Sequence, residues 1–179
     1  PVFTKPAGVV EVELDGASLK REIGPDVESF ELLEIEKRAA LVSDAEKNEI
    51  VGYMIKNWHF MKEPSQQSLV KAAELYIAVR NLIKDRNCEA VSLKDVDGMK
   101  KLFGFPPAPV FMLLSDIDGL CTIPENDTLG LVTQLMVRYL TGQSAAYLEF
   151  YEFFEDRVLA GVPDYVPAGV VDGDIKIMP

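Results

Sequence analysis

The sequence has few of the features that mark membrane-spanning, secreted or disulfide-rich proteins. Its longest run of large apolar residues is residues 110–114 (Val-Phe-Met-Leu-Leu), far below the roughly 20 residues that cross a bilayer. Only two cysteines, Cys88 and Cys121, are present, so we expect no disulfide framework and a reducing, cytoplasmic compartment. The N-terminus lacks the apolar segment of a signal peptide. Its first residue is not methionine, which suggests a piece of a longer chain.

Basic residues are also scarce. The 179 residues hold 18 basic and 29 acidic side chains, a formal net charge of −11. After residue 101, only Arg138, Arg157 and Lys176 oppose 11 acids. This balance argues against nucleic-acid binding, because phosphate backbones repel an acidic surface. A bound cation could offset the excess, although solvent and counterions would do the same on an ordinary surface.

Apolar periodicity and capping residues predict alternating helices and strands. The predicted helices cover residues 29–41, 43–57, 65–86, 96–103 and 128–139, and the predicted strands cover residues 9–14, 90–93, 110–114, 145–154, 157–161 and 170–178. The alternation indicates an α/β fold with a parallel sheet flanked by helices, followed by a β-rich C-terminal tail that begins a second domain. We predict an N-terminal strand and helical segment at 1–64, an α/β domain at 65–144 and the start of the second domain at 145–179.

Two acidic residues are candidates for a functional site. Glu125 precedes the predicted helix at 128, where ligands of open α/β sheets bind beyond the carboxyl ends of strands; a solvated loop acid is the alternative. Neighbouring Asp127 is better explained as the helix N-cap. Glu149 lies in an aromatic strand, and it could share a half-exposed face with Tyr147 and Tyr151. A pair of carboxylates at strand ends would instead suit a divalent cation or acid–base catalysis.

Three segments together resemble the L-fucose isomerase and L-arabinose isomerase family. They are residues 124–129 (Pro-Glu-Asn-Asp-Thr-Leu), 140–143 (Leu-Thr-Gly-Gln) and 147–149 (Tyr-Leu-Glu). The two acids lie 24 residues apart, which is the spacing of that family. The resemblance covers the middle domain and the start of the C-terminal domain.

The resemblance implies metal-dependent interconversion of an aldose and a ketose through an enediol intermediate. In that family two acids and a downstream histidine hold a divalent metal, most often Mn²⁺, and the acids move a proton between C1 and C2. By position, Glu125 and Glu149 would be both the metal ligands and the catalytic acids. The expected partners are a small sugar and further copies of the parent chain, with no nucleic acid and no membrane.

The sequence departs from the family pattern at two points. Fucose isomerases have Asp at the second acid, where this chain has Glu149 as arabinose isomerases do. The expected downstream histidine is missing from residues 158–162 (Val-Leu-Ala-Gly-Val), and His59 is the only histidine of the chain. We therefore expect this piece alone to be inactive. The alternatives are a non-catalytic sugar-binding or oligomerisation domain on the same scaffold, and an acidic interaction module.

Overall fold

A computed structural model describes residues 15–161 and 164–178 of the chain, and about 52% of it is helical. The helices are α1 (Gly16–Glu22), α2 (Leu32–Ala39), α3 (Asp44–Asn57), α4 (Gln66–Asp85), α5 (Lys101–Phe103), which continues a π-helical turn (Asp95–Lys100), α6 (Ala108–Asp116) and α7 (Thr128–Thr141). The strands are β1 (His59–Phe60), β2 (Ala90–Ser92), β3 (Cys121–Ile123), β4 (Glu149–Phe153), β5 (Val158–Gly161) and β6 (Lys176–Ile177), with a 3-10 turn at Ala168–Val170.

Capping residues set several helix ends where the sequence predicts them. Ser43 and Glu46 form a capping box at the start of α3, so two backbone donors of the first turn are satisfied. Ser65 caps α4 through the backbone N–H of Ser68. Helix α7 ends at Gly142, whose φ of 70° is a left-handed conformation that glycine adopts without strain. The predicted helices at 43–57, 65–86 and 128–139 are confirmed.

Helix α4 lies at the centre of the main hydrophobic core. It packs against α2, α3 and α6, and its buried residues surround the helix rather than forming one stripe. A helix that is apolar all round is typical of a position with neighbours on every side. The core also includes Trp58 and Tyr165, so it draws residues from all three of the predicted segments. The division into domains stays a prediction.

The sheets are small. Strand β2 pairs in parallel with β3, β1 pairs in parallel with β6, and β4 pairs with β5 as an antiparallel hairpin. A mixed helix and strand fold is therefore confirmed. The large parallel sheet flanked by helices is not present among residues 15–161 and 164–178, because each sheet there has two strands.

The strand predicted at residues 110–114 is wrong. These residues belong to α6, and Val110 to Leu114 are all buried. A continuous apolar run is compatible with either a buried strand or a buried helix. Here Pro107 and Pro109 fix the backbone at the first helical turn, where proline is tolerated. The strand that completes the parallel pair is β3, which lies outside every strand that the sequence predicts.

The C-terminal tail contains less strand than predicted. The hairpin β4–β5 agrees with the predicted strands at 145–154 and 157–161, but in the segment 170–178 only Lys176 and Ile177 are strand. The predicted strand at 9–14 lies outside the described residues. Within the described ranges, no helix combines the length and apolar character that crossing a membrane requires.

Candidate functional site

The two predicted acids lie in the same region of the structure. Glu125 lies in the loop between β3 and α7, just beyond the carboxyl end of β3, and Glu149 is the first residue of β4. Both side chains are half-buried. Burial is the largest cause of a raised pKa of Glu125, and the negative charge of Glu149 adds to it, so the two carboxylates lie within electrostatic range of each other. The fold therefore brings both acids to one region, although 24 residues separate them in the chain.

The loop that carries Glu125 is fixed in an unusual backbone conformation. Glu125 and Asn126 have φ values of 61° and 58°, a left-handed region that costs about 1–2 kcal/mol for each non-glycine residue. Two contacts hold it there. The Asp127 side chain accepts a hydrogen bond of 2.8 Å from the Gly130 backbone N–H, which confirms its role as N-cap of α7. On the other side, the Asn126 N–H donates to the Leu93 carbonyl at 3.3 Å.

Two more carboxylates and one ammonium group join the pair, and we call the set of Asp95, Lys100, Glu125, Glu149 and Asp164 the acidic cluster. Asp95 follows β2 and is only 3% exposed. Lys100 Nζ lies 3.3 Å from Asp95 Oδ2 and 3.8 Å from Asp164 Oδ1. Because β2 and β3 are parallel, the segments beyond their carboxyl ends meet at one edge. The cluster thus brings the carboxylates of Asp95 and Asp164 within ion-pair distance of Lys100, and Glu125 within range of the Lys100 charge.

Burial and repulsion by neighbouring carboxylates raise the pKa of two carboxyl groups here, those of Glu125 and Asp164. Burial is the largest cause for Glu125, followed by the charges of Asp95, Glu149 and Asp164, while Lys100 opposes them. Burial also raises the pKa of Asp164. The Tyr147 hydroxyl donates a hydrogen bond of 3.0 Å to Glu149 Oε1, and burial raises the pKa of Tyr147. The excess of negative charge favours binding of a proton or of a cation.

The acidic cluster offers an incomplete set of metal ligands. Carboxylate oxygens are the donors that Mg²⁺, Ca²⁺ and Mn²⁺ prefer, so Glu125 and Glu149 are chemically suitable. However, among the residues that the structure describes, no three His, Cys, Asp or Glu side chains are arranged to hold a metal ion. Asp95 already accepts a charge-assisted hydrogen bond from Lys100. Glu125 and Glu149 therefore suit a metal by their donor chemistry, and the described residues do not supply a third ligand.

Sequence reasoning missed three members of the acidic cluster, namely Asp95, Lys100 and Asp164. Asp95 had a usable signal, since it is an acid shortly after the predicted strand at 90–93. No local sequence signal indicated Asp164, because the position of Asp164 depends on the tertiary contacts of the neighbouring Tyr165. The segment 158–162, where the family histidine is missing, lies only partly inside the described residues.

Comparison with known proteins adds no assignment. No protein-family model matches the chain, and no curated protein matches it either.

We expect Glu125→Gln to stabilise the chain at neutral pH. Since the folded state raises the pKa of Glu125, it binds a proton more readily than the unfolded state, and stability falls as pH rises from about 4.5 towards the raised value. Above that window the ionised carboxylate opposes folding, and glutamine removes this cost. Urea unfolding at pH 7 and at pH 4 should show a gain that shrinks at the lower pH.

The control for this variant is Glu152→Gln, which removes the same charge from an exposed position of β4. Because the side chain is exposed, this variant should change the unfolding free energy by no more than about 0.5 kcal/mol at either pH. A loss of stability at pH 7 in Glu125→Gln would contradict the account of burial and repulsion.

Proposed function

We propose that this chain is part of a metal-dependent aldose–ketose sugar isomerase of the fucose and arabinose type. The observation that supports it most is that Glu125, just beyond the carboxyl end of a parallel strand, lies within electrostatic range of Glu149. Sites of open α/β sheets lie at such ends. In the proposed parent chain, β2 and β3 would belong to a larger parallel sheet, and β4 and β5 would begin the second domain.

Glu125 and Glu149 would serve as two of the metal ligands, and Mn²⁺ is the cation that the resemblance implies. When bound, the cation would supply a Lewis acid that polarises the sugar carbonyl. The third ligand has to come from outside the described residues, either from the rest of the parent chain or from a neighbouring copy in an oligomer. This chain alone is accordingly proposed to be inactive.

The environments of the two acids suit a proton transfer between C1 and C2 of a sugar. Burial and three neighbouring carboxylates raise the pKa of Glu125, which brings it closer to the pH at which a group accepts and returns a proton efficiently. Glu149 is held by the hydroxyl of Tyr147, so its orientation is fixed. Glu125 would remove the proton and Glu149 would assist its return, with an enediol of the sugar between the two steps.

The remaining parts of this proposal concern partners and location. A small sugar is the proposed substrate and a homo-oligomer of the parent chain is the proposed assembly, in the cytoplasm. The net charge of −11 supports the exclusion of nucleic acid as a partner.

A non-catalytic sugar-binding or oligomerisation domain is the second candidate, and two observations favour it. The described residues lack a complete set of metal ligands. In addition, the hairpin exposes large apolar side chains, with Phe150 68% and Phe153 71% exposed. Exposed apolar patches of this kind often mark protein interfaces. Assay of the full-length parent against a panel of aldoses distinguishes the two candidates.

Manganese titration by calorimetry tests the metal site in this chain. We expect saturable binding with a dissociation constant of about 10⁻⁴–10⁻³ M, the range of weak carboxylate sites. The Glu125→Gln, Glu149→Gln double variant should lose this binding. The matched control, Glu152→Gln with Glu155→Gln, removes two charges from exposed positions near the same hairpin and should keep it. Equal heats from both double variants would count against the proposal.

A further inference from the structure

One face of the β4–β5 hairpin is made of apolar side chains. A β-bulge between Phe150 and Glu152 shifts the register, so that Phe150 pairs with Ala160 and Phe153 pairs with Val158. Residues three apart on a regular strand point to opposite faces, but the extra residue of the bulge returns Phe150 and Phe153 to the same face. Their ring centroids lie 5.7 Å apart. We call Phe150, Phe153, Val158 and Ala160 the hairpin face.

The hairpin face is open to solvent. Phe150 is 68% exposed, Phe153 71% and Val158 47%, and Ala160 is exposed as well. Two large aromatic rings and two aliphatic side chains thus form a patch of the kind that marks a protein interface. A two-stranded hairpin is only marginally stable by itself, so packing of this face against a second layer would also stabilise the hairpin.

The opposite face of the hairpin is the polar one. Glu149 pairs with Gly161, and Glu152 pairs with Leu159, so both acids lie on the side away from the aromatic rings. A partner on the hairpin face would therefore bind on the side of the hairpin opposite Glu149. For this reason an inference about the hairpin face goes beyond the proposed isomerase function and does not depend on it.

The charges of the hairpin favour a second copy of the chain as the partner. All four side chains of the hairpin face are uncharged, although the chain has a net charge of −11, so two copies can meet there without placing like charges in contact. The turn that joins the strands carries both signs. Arg157 Nε lies 3.9 Å from Asp156 Oδ1, and the two side chains are 72% and 79% exposed. A turn with both signs is complementary to a copy of itself.

The sizes of the side chains favour a two-fold arrangement. Both large rings lie on β4, and each is paired with a smaller side chain at the same level of β5. A two-fold axis parallel to the strands would place β4 of each copy over β5 of the other. Large side chains would then pack on small ones, as in interdigitated layers, and the two charged turns would lie at the same end.

We propose that two copies of this chain pack hairpin face against hairpin face about such an axis. The result is a two-layer sandwich of four strands, with the layers about 10 Å apart. Phe150 of one copy lies over Ala160 of the second copy, and Phe153 lies over Val158 of the second copy. Because the axis is two-fold, both contacts occur twice.

Sedimentation equilibrium of the full 179-residue chain tests the proposal. Four side chains per copy are fewer than the about 20–30 residues a side of a standard interface, so we expect a weak dimer. The average mass should rise from 19.9 kDa towards twice that value as the protein concentration approaches about 1 mM. The Phe150→Ser, Phe153→Ser double variant should keep the monomer mass. Leu159→Ser, at a half-exposed position of the opposite face, should dimerise like the native chain.

A size exchange tests the two-fold packing itself. Ala160→Phe enlarges the apolar surface but fills the space that Phe150 of the second copy occupies, so it should weaken dimerisation by about tenfold or more. Adding Phe150→Ala to this variant exchanges the large and small partners of one pair, and it should restore dimerisation. Far-UV circular dichroism of each variant reports whether the fold is kept.

Three outcomes would overturn the proposal. A mass of one chain at every concentration would assign the hairpin face to a different partner. Dimerisation that persists in the Phe150→Ser, Phe153→Ser variant would place the interface elsewhere on the molecule. Stronger association of Ala160→Phe than of the native chain would mean that the face adheres through apolar area alone, without the proposed pairing of large and small side chains.

Discussion

Replacing Tyr165 with alanine is expected to lower the free energy of unfolding by about 3–5 kcal/mol, the range found for large aromatic side chains in cores. Tyr165 is 6% exposed, and its ring centroid lies 5.1 Å from that of Phe111. Its hydroxyl donates to the Thr122 carbonyl and accepts from the Thr122 hydroxyl, whose oxygen lies 2.9 Å away. Alanine removes the packing and both hydrogen bonds, leaving the polar groups of β3 without these partners.

Two further variants separate the ring from the hydroxyl. Tyr165→Phe keeps the contact with Phe111 but leaves Thr122 without its partner, and it should cost about 1–3 kcal/mol. Leu159→Ala, at an exposed position of β5, should stay within about 0.5 kcal/mol of the native chain. Urea unfolding measures all three. A change below about 1 kcal/mol for Tyr165→Ala would show that the segment after β5 does not dock on β3.

The Tyr165 contact also connects the fold to the candidate site. Tyr165 anchors the chain after the exposed hairpin to β3, and β3 leads directly to Glu125. Its neighbour Asp164 is thereby held where its charge acts on Glu125 and its oxygen lies 3.8 Å from Lys100 Nζ. Loss of the anchor should therefore weaken the acidic cluster as well as the core.

Elements with strong local signals could be predicted from the sequence. Ser43 with Glu46, Ser65 and Asp127 all cap helices at the expected positions. These signals work because the capping groups lie within three residues of the backbone groups that they satisfy. Gly142 likewise marks the end of α7 correctly, because its left-handed backbone conformation ends the helix locally.

Features that depend on distant contacts could not be predicted in this way. Residues 110–114 are apolar throughout, and whether such a run is a helix or a strand depends on its neighbours, here α4. The three-residue strand β3 is too short to show a period of two. Its pairing with β2 connects positions about thirty residues apart, which no local pattern encodes.

The candidate site follows the same division. Glu125 and Glu149 could be named because a resemblance supplied their spacing, and Asp127 because capping is local. Asp95, Lys100 and Asp164 come together only through the tertiary fold. Lys100 also places a positive charge near Glu125. The number of acids alone therefore overestimates the negative charge available to bind a metal ion, because the ammonium group of Lys100 offsets part of it.

Gly130→Ala is expected to destabilise the chain by about 2–3 kcal/mol, although alanine favours a helix by about 1 kcal/mol over glycine. A Cβ at this position would lie 2.6 Å from Ile123 Cδ1 and would overlap the capping carboxylate of Asp127. Ile123 is 1% exposed and has little room to move, so the overpacking costs about 1–3 kcal/mol. Displacing the Asp127 cap adds about 0.5–2 kcal/mol.

Gly52→Ala is the same substitution in another helix, and we expect it to change the stability in the opposite direction. Gly52 lies within α3, and a Cβ there would meet no atom within 4 Å, so alanine should stabilise the chain by about 0.5–1 kcal/mol. Urea unfolding of both variants should give changes of opposite sign. Because Gly130 holds Asp127 and the loop of Glu125, its variant should also weaken manganese binding while Gly52→Ala leaves it intact. Stabilisation by both substitutions would mean that the loop before α7 has space that the structure does not indicate.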